Sequence, residues 1–260
     1  MRVISIINLK GGVGKSFTAA QMGYLLSQQH GAAVLLLDND KQGNLSKLFG
    51  VYDRNGMCPT AQLLMGRNSA EGVRQETEYH NLDIISSNMN LLTATMQLQQ
   101  DGSAEQCQKY ESLKCSENRA GRPYDYVIID NPPDIGLNVI NALAVTNDVI
   151  VPIKIDQSAL EGMDIMTGQI SQMQAMNPDI RFMGALVTMY KNNVTNSSGI
   201  EWLQKHHIKM FDTFIRYSDK APESTIFEKP IQEYSPRSGT AKSYRQFVQE
   251  YITKAKVEVR

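Results

Sequence analysis

The longest apolar run in the 260-residue chain, Ala32 to Leu37, is only six residues, against the roughly 20 that a membrane-spanning helix needs. The N-terminus enters an apolar strand pattern directly and carries no signal-peptide pattern. Cysteine is scarce: Cys58, Cys107 and Cys115 form no metal-ligand spacing, and three cannot all pair. A reducing, cytoplasmic compartment fits that usage. No internal repeat or low-complexity linker divides the sequence, which points to one domain over residues 1–260. The chain also lacks any strong charge of one sign. Its net charge of −1 argues against a protein that coats nucleic acid over its whole surface. The distribution is uneven, however: from Arg181 to Arg260 there are 13 Lys/Arg against 8 Asp/Glu. That excess permits an anionic partner on the C-terminal part.

What is present is organised around Lys10-Gly11-Gly12-Val13-Gly14-Lys15-Ser16. This stretch follows the apolar run Arg2–Ile7 and opens a helical pattern from Ser16 to about Gln29. Glycines at 11, 12 and 14 let the backbone wrap an anion and aim its N–H groups inward. The helix N-terminus behind them adds partial positive charge. Lys15 is suited to reach the β- and γ-phosphates of a nucleoside triphosphate, and the Ser16 hydroxyl to ligate Mg²⁺. The strict phosphate-loop pattern has a glycine five residues before Gly14. Here that position is Leu9, and a second lysine, Lys10, follows it.

Ala19, Met22, Leu25 and Leu26 give the first helix an apolar stripe, and Gly31 is placed to end it. Ala33–Leu37, Leu82–Ile85, Tyr126–Ile129, Val149–Ile155 and Phe182–Val187 read as strands buried on both faces, each followed by a turn and helical periodicity. Alternating βα units predict an α/β fold with a doubly wound, mostly parallel sheet that binds ligands at the carboxyl ends of its strands. The polar stretches Gly66–His80 and Gln100–Pro123 read as helical surface insertions. Ser158 and Glu161 form a capping box for a helix striped by Leu160, Met163, Met166, Ile170 and Met173. The last helix, from Ala241 to about Lys254, presents Tyr244, Phe247, Val248, Tyr251 and Ile252 on the face that docks.

Two strands end in carboxylates suited to complete a phosphate site. Asp38-Asn39-Asp40-Lys41-Gln42-Gly43-Asn44 follows the second strand, and Tyr126-Val-Ile-Ile-Asp130-Asn131-Pro132-Pro133 ends as a Walker B strand does. With Lys10-Gly-Gly-x-Gly-Lys-Ser, these segments resemble the deviant Walker A ATPases of the ParA/MinD family. The likeness continues through Asn138–Leu143, Ser158-Ala-Leu-Glu-Gly162, Thr188-Met189, Lys229-Pro230-Ile231 and Tyr234-Ser-Pro-Arg-Ser238. It is nearest to the short ParA/Soj branch without an N-terminal helix-turn-helix, and weakest over Gln100–Arg122.

The resemblance implies ATP and Mg²⁺ as cofactors, with Lys10, Gly11, Gly12, Val13, Gly14, Lys15, Ser16, Phe17 and Met189 binding the nucleotide. It implies Lys10, Lys15 and Asp40 as catalytic: Asp40 positions the attacking water, and Lys10 reaches the nucleotide of a facing subunit. Ser16 and Asp130 would serve the metal, Asp130 through water. Lys220 aligns with a basic position that contributes to DNA binding, and Arg216, Lys205 and Lys209 are its candidate neighbours. The family's DNA-binding arginine after Thr188-Met189 has no clear counterpart here, where only Lys191 is basic. Two other departures touch the switches: Lys41 stands where the family usually has proline, and Asp134 where a small residue is common.

The function implied is DNA partition of a plasmid or chromosome. An ATP-bound homodimer would bind DNA without sequence preference on the nucleoid, and a ParB-like centromere-binding protein would trigger hydrolysis and release. A MinD-like positioning ATPase acting at a membrane or on another cargo is the second reading. The six residues after the last helix, Ala255 to Arg260, are too short and polar for a stable membrane anchor. A biosynthetic ATP-dependent ligase fits the Gln-Gly-Asn and Asn-Pro-Pro segments poorly. A nitrogenase-type iron–sulfur reductase is excluded by the lack of any cysteine after Asp130.

Overall fold

The computed structural model describes residues 1–101, 104–156, 168, 170–175 and 177–257. Its centre is a sheet of strands β1 (Arg2–Ile6), β2 (Val34–Asp38), β3 (Gln75–Glu76), β4 (Leu82–Ile85), β5 (Tyr126–Asp130), β6 (Asp148–Lys154) and β7 (Arg181–Thr188). They lie in the order β3-β4-β2-β5-β1-β6-β7. All pairings are parallel except β3 with β4, so the edge strand alone runs against the rest.

The described helices are α1 (Lys15–Gln28), α2 (Asn44–Leu48), α3 (Pro59–Leu64), α4 (Ala70–Val73), α5 (Asn90–Asp101), α6 (Leu137–Val145), α7 (Val194–Lys205), α8 (Lys220–Ile226), α9 (Ile231–Tyr234) and α10 (Gly239–Val257). None is long and apolar enough to cross a membrane.

The continuous apolar strands split their side chains by the two-residue period of the pleat. Val34 and Leu36 join Ile4, Ile6 and Ile128 in the core under α1 and α10. Leu35 and Leu37 join Val3, Val127 and Ile129 in the core under α3, α5 and α6. This is why β2 is buried at all five positions and why an amphipathic strand pattern is absent. Deleting one such side chain, as in Leu36→Ala, costs about 2–5 kcal/mol. On α1, Gly23 lets the helix approach closely, since a Cβ there would lie 2.7 Å from a Leu36 methyl. The expected stripe on α1 and the expected docking face of α10 both lie in this core.

Two expectations change. Gly66–His80 contributes α4 and the edge strand β3 as well as polar surface. Gln100–Pro123 is not a helical surface insertion: it holds two 3₁₀ turns, Ala104–Cys107 and Glu111–Cys115, and buries Tyr110 and Leu113 completely. Of the expected stripe after Ile155, Ile170 is buried and Met173 packs half-buried against the β6/β7 core. Ser158, Leu160, Glu161, Met163 and Met166 lie outside the described residues.

Candidate nucleotide-binding site

Strand order explains how distant residues meet. β1 lies between β5 and β6, and β2 lies beyond β5. The register pairs Ile6 with Asp130 and Asp130 with Asp38, so both strand-ending carboxylates stand next to the loop that leaves β1. In that loop Gly12 (φ +72°) and Gly14 (φ +87°) adopt left-handed backbone, which glycine reaches without steric cost. A Cβ on Gly11 or Gly12 would meet no atom within 4 Å. Gly11, Gly12 and Gly14 line a hollow open to a ligand. The loop is fixed by Thr188 of β7, whose hydroxyl donates to the Val13 carbonyl at 2.8 Å.

Lys15 is buried, and its ammonium donates to the Lys10 carbonyl at 2.9 Å. Desolvation lowers its pKa, opposed by the negative charges of Asp130, Asp40 and Asp134. The Lys10 ammonium lies 2.5 Å from both oxygens of Asp156, just beyond β6. Asp40 is nearly buried and accepts the Gln42 N–H at 3.0 Å.

Asp38 is fully buried and accepts bonds from the Ser46 hydroxyl (2.6 Å) and N–H (2.8 Å). Burial still pushes its pKa up to about 6. Asp130 is equally buried, but neither of its carboxylate oxygens has a hydrogen-bond partner. Desolvation first, then the charge of Asp38, raise its pKa well above the carboxylate range. Ser16 lies near enough to oppose that shift without reaching hydrogen-bond geometry.

A buried, unpartnered carboxyl is costly unless a cation or donor answers it. Asp130 beside the Ser16 hydroxyl therefore fits a divalent cation of the Mg²⁺ type. Among the described residues no three His, Cys, Asp or Glu side chains form a self-sufficient metal cage.

Two adjoining hollows occupy this end of the sheet. The first, about 640 Å³, is lined by Gly11, Gly12, Lys15, Ser16, Asp40 and Lys41 among others. The second, about 300 Å³, is almost wholly apolar and is walled by Phe17, Met189, Ile215, Pro222 and Tyr244. Gly14, Phe17, Met189 and Thr225 line both. A polar hollow at a phosphate loop joined to an apolar slot between aromatic rings has the shape and chemistry for phosphates and a base.

Of the eleven residues expected at the nucleotide and its metal, Gly11, Gly12, Gly14, Lys15, Ser16, Phe17, Asp40 and Met189 line these hollows, and Asp130 lies buried close to Ser16 and Lys15; Lys10 and Val13 do not line them. Lys10 turns its ammonium to Asp156, and Val13 is buried and contributes its carbonyl to Thr188. The base-slot walls Ile215, Pro222 and Tyr244 were not anticipated, because Tyr244 reads as an ordinary core position on α10. Asp156 was also missed, although it ends an apolar run just as Asp38 and Asp130 do.

The basic residues expected at DNA come from separate elements. Arg216 borders the base slot and an open hollow with Tyr190, Lys191, Asn192 and Tyr217. Lys220 is exposed and pairs with Glu223 at 2.7 Å. Lys205 ends α7, and Lys209 lies beside the middle of β7, where its carbonyl accepts the Ala185 N–H.

A family model described as an AAA domain matches residues 1–182. The chain is 30% identical over 258 residues to the chromosome partitioning protein ParA of Caulobacter vibrioides, covering 98% of this chain and 95% of that protein. It is 31% identical over 254 residues to the sporulation initiation inhibitor protein Soj of Bacillus subtilis, covering 96% and 97%. Its fold superposes with a TM-score of 0.81 on cobyrinic acid a,c-diamide synthase from Mycobacterium smegmatis, solved with an ATP analogue and magnesium, at 27% identity over 98% of this chain and 96% of that one.

Proposed function

Because the chain belongs to the ParA/Soj-type family of P-loop ATPases, we propose that it is a DNA-partition ATPase. In this reading it dimerises on ATP, binds nucleoid DNA without sequence preference, and is released when a ParB-like partner stimulates hydrolysis. Residues 1–260 act as one ATPase domain, with α1 and α10 tied by the 3.0 Å bond between the Thr18 and Tyr244 hydroxyls.

The observation that carries this reading is the presence of two lysines with different tasks in one phosphate loop. Lys15 is buried at the cradle, where its ammonium would meet the β- and γ-phosphates. Lys10 is about one-third exposed and engaged with the carboxylate of Asp156 just beyond β6. A second ammonium in the same loop is redundant within one subunit and is explained by the phosphates of another. Phe17, Tyr244 and Met189 would hold the base, and Ser16 and, through water, Asp130 would hold Mg²⁺. When bound, that ion supplies charge neutralisation at the phosphate oxygens. Asp40 orients the attacking water through its carboxylate. Asp40 and Gln42 lie on the short loop between β2 and α2, and both line the phosphate hollow.

Arg216 lines the base slot and Lys220 directly precedes Ala221 and Pro222 of its wall, so in this reading both adjoin the bound nucleotide. DNA binding through such residues rests on phosphate contacts and falls steeply with salt. The test is an electrophoretic-shift series with ATP analogue or ADP at several salt concentrations. Retention of DNA with the triphosphate only, weakened more by Lys220→Glu than by Lys220→Ala, supports the proposal. DNA affinity indifferent to nucleotide and to both variants refutes it. Stimulation of ATP turnover by a small DNA-binding protein encoded beside this gene would favour partition over another cargo.

A further inference from the structure

Lys41 and Asp134 face each other across the mouth of the phosphate hollow, with Nζ 3.3 Å from Oδ2. Lys41 directly follows Asp40, and Asp134 lies four residues beyond Asp130, so the pair joins the two loops that carry the site's carboxylates. Both side chains are partly exposed, and a pair in that setting contributes little to stability. Its location is more informative. The base slot and the phosphate hollow share Gly14, Phe17, Met189 and Thr225, whereas Asp40, Lys41, Pro133 and Asp134 line the phosphate hollow and not the base slot. The side away from the base is where the terminal phosphate of a nucleoside triphosphate must lie.

Three lysines line that hollow, and their partners differ in kind. Lys15 donates to the Lys10 carbonyl. Lys47 donates to the Gln42 carbonyl at 2.7 Å and lies over the Tyr52 ring at 4.7 Å. Lys41 is matched instead with a carboxylate, an anion of the class a phosphate would replace. Asp134 also acts electrostatically on the Lys15 ammonium, so its charge is felt inside the cradle.

We propose that Lys41 is a terminal-phosphate contact that Asp134 holds in reserve, making the pair a device for telling a nucleoside triphosphate from a diphosphate. The inference rests on the hollow taking nucleotide as proposed above. An incoming terminal phosphate carries more charge than one carboxylate and repels Asp134, so Lys41 transfers from the carboxylate to the phosphate. A diphosphate leaves that side of the hollow empty, and the Lys41–Asp134 pair stays closed. Lys41 thereby adds a charge-assisted bond that only the triphosphate receives.

The test is equilibrium titration with fluorescent ADP and a fluorescent non-hydrolysable ATP analogue in Mg²⁺, with protein dilute enough to stay monomeric by light scattering. Lys41→Ala should weaken the triphosphate analogue by about tenfold while leaving ADP within about twofold. Asp134→Asn should tighten the triphosphate analogue severalfold and again spare ADP. Lys41→Arg should restore the discrimination that Lys41→Ala loses. Equal weakening of both nucleotides by Lys41→Ala would make the pair a structural loop tie and overturn the inference, as would looser triphosphate binding by Asp134→Asn. If the unmodified chain binds ADP and the analogue but Lys41→Ala changes neither, only this inference fails. If the unmodified chain binds neither nucleotide, the ATPase reading fails with it.

Discussion

The Lys10 ammonium lies 2.5 Å from both carboxylate oxygens of Asp156, so the extra lysine of the phosphate loop is held within its own chain. β1 and β6 are neighbours in the sheet, and the two residues follow their carboxyl ends. To reach a second subunit's nucleotide, the lysine must exchange this carboxylate for a phosphate. The pair is about one-third exposed on each side, so its rupture costs no more than about 1 kcal/mol. In an Asp40→Ala background with saturating Mg-ATP, Asp156→Ala should therefore raise the dimerisation constant by up to about fivefold. Lys10→Ala in the same background should still bind ATP and lose the dimer, as read by light scattering. A dimer as complete as that of Asp40→Ala alone would remove Lys10 from the interface.

Asp40 stands on the loop after β2 with its carboxylate turned back to the Gln42 N–H. Asp40→Ala removes a carboxylate but no core packing, so binding of ATP should persist. Loss of one positioned catalytic group slows a reaction by about 10²–10⁴-fold. Steady-state phosphate release should fall by that factor, and size-exclusion chromatography with ATP should show a trapped dimer. Turnover at the unmodified rate would place the water-positioning group elsewhere.

The Asp130 carboxyl is buried without a hydrogen-bond partner beside the ionisable Asp38. Asp130→Asn removes a group that costs the apo fold free energy, so its melting temperature should be equal or higher. The further rise that Mg²⁺ gives on top of nucleotide should shrink sharply, because the cation loses its buried counter-charge. A lower apo melting temperature would instead mark this carboxyl as a structural element.

The strands other than β3, together with α1, α10 and the phosphate cradle, were legible in the sequence because each rests on local pattern: continuous apolar runs, helical stripes, and glycines before a lysine. Asp38 and Asp130 were legible as strand-ending carboxylates, although their side-by-side register is a consequence of sheet order. The base slot was less legible. Its walls Ile215, Pro222 and Tyr244 come from separate elements that only tertiary packing assembles, and an apolar slot has the same local signature as core. The 104–115 region misled for the opposite reason. Its polar composition reads as surface, yet its meaning lies in Tyr110, one aromatic residue folded inward.

Tyr110 carries the last prediction. Its hydroxyl donates to Asn39 Oδ1 at 2.7 Å in a fully buried setting. Asn39 Nδ2 donates in turn to Asn131 Oδ1 at 2.9 Å and to the Asn138 carbonyl at 3.1 Å. Asn138 Nδ2 returns a bond to the Asn39 carbonyl at 2.9 Å. One amide thus links the loop carrying Asp40, the loop after Asp130, α6 and the segment between the two 3₁₀ turns. Tyr110→Phe keeps the ring and deletes only the donor, leaving a buried amide oxygen unanswered. Such a loss costs about 1–3 kcal/mol, which for a chain of this size lowers the melting temperature by roughly 2–4 °C per kcal/mol. Because Asn39 sits next to Asp40, the variant should also lower ATP turnover at saturating nucleotide while ADP affinity stays within about twofold. Asn39→Ala removes the whole junction and should lower turnover further, and combining it with Tyr110→Phe should cost little beyond Asn39→Ala alone. Calorimetry on the two single variants and the double variant measures that coupling. Additive losses would mean that Tyr110 braces its own segment and does not act through the Asn39 junction.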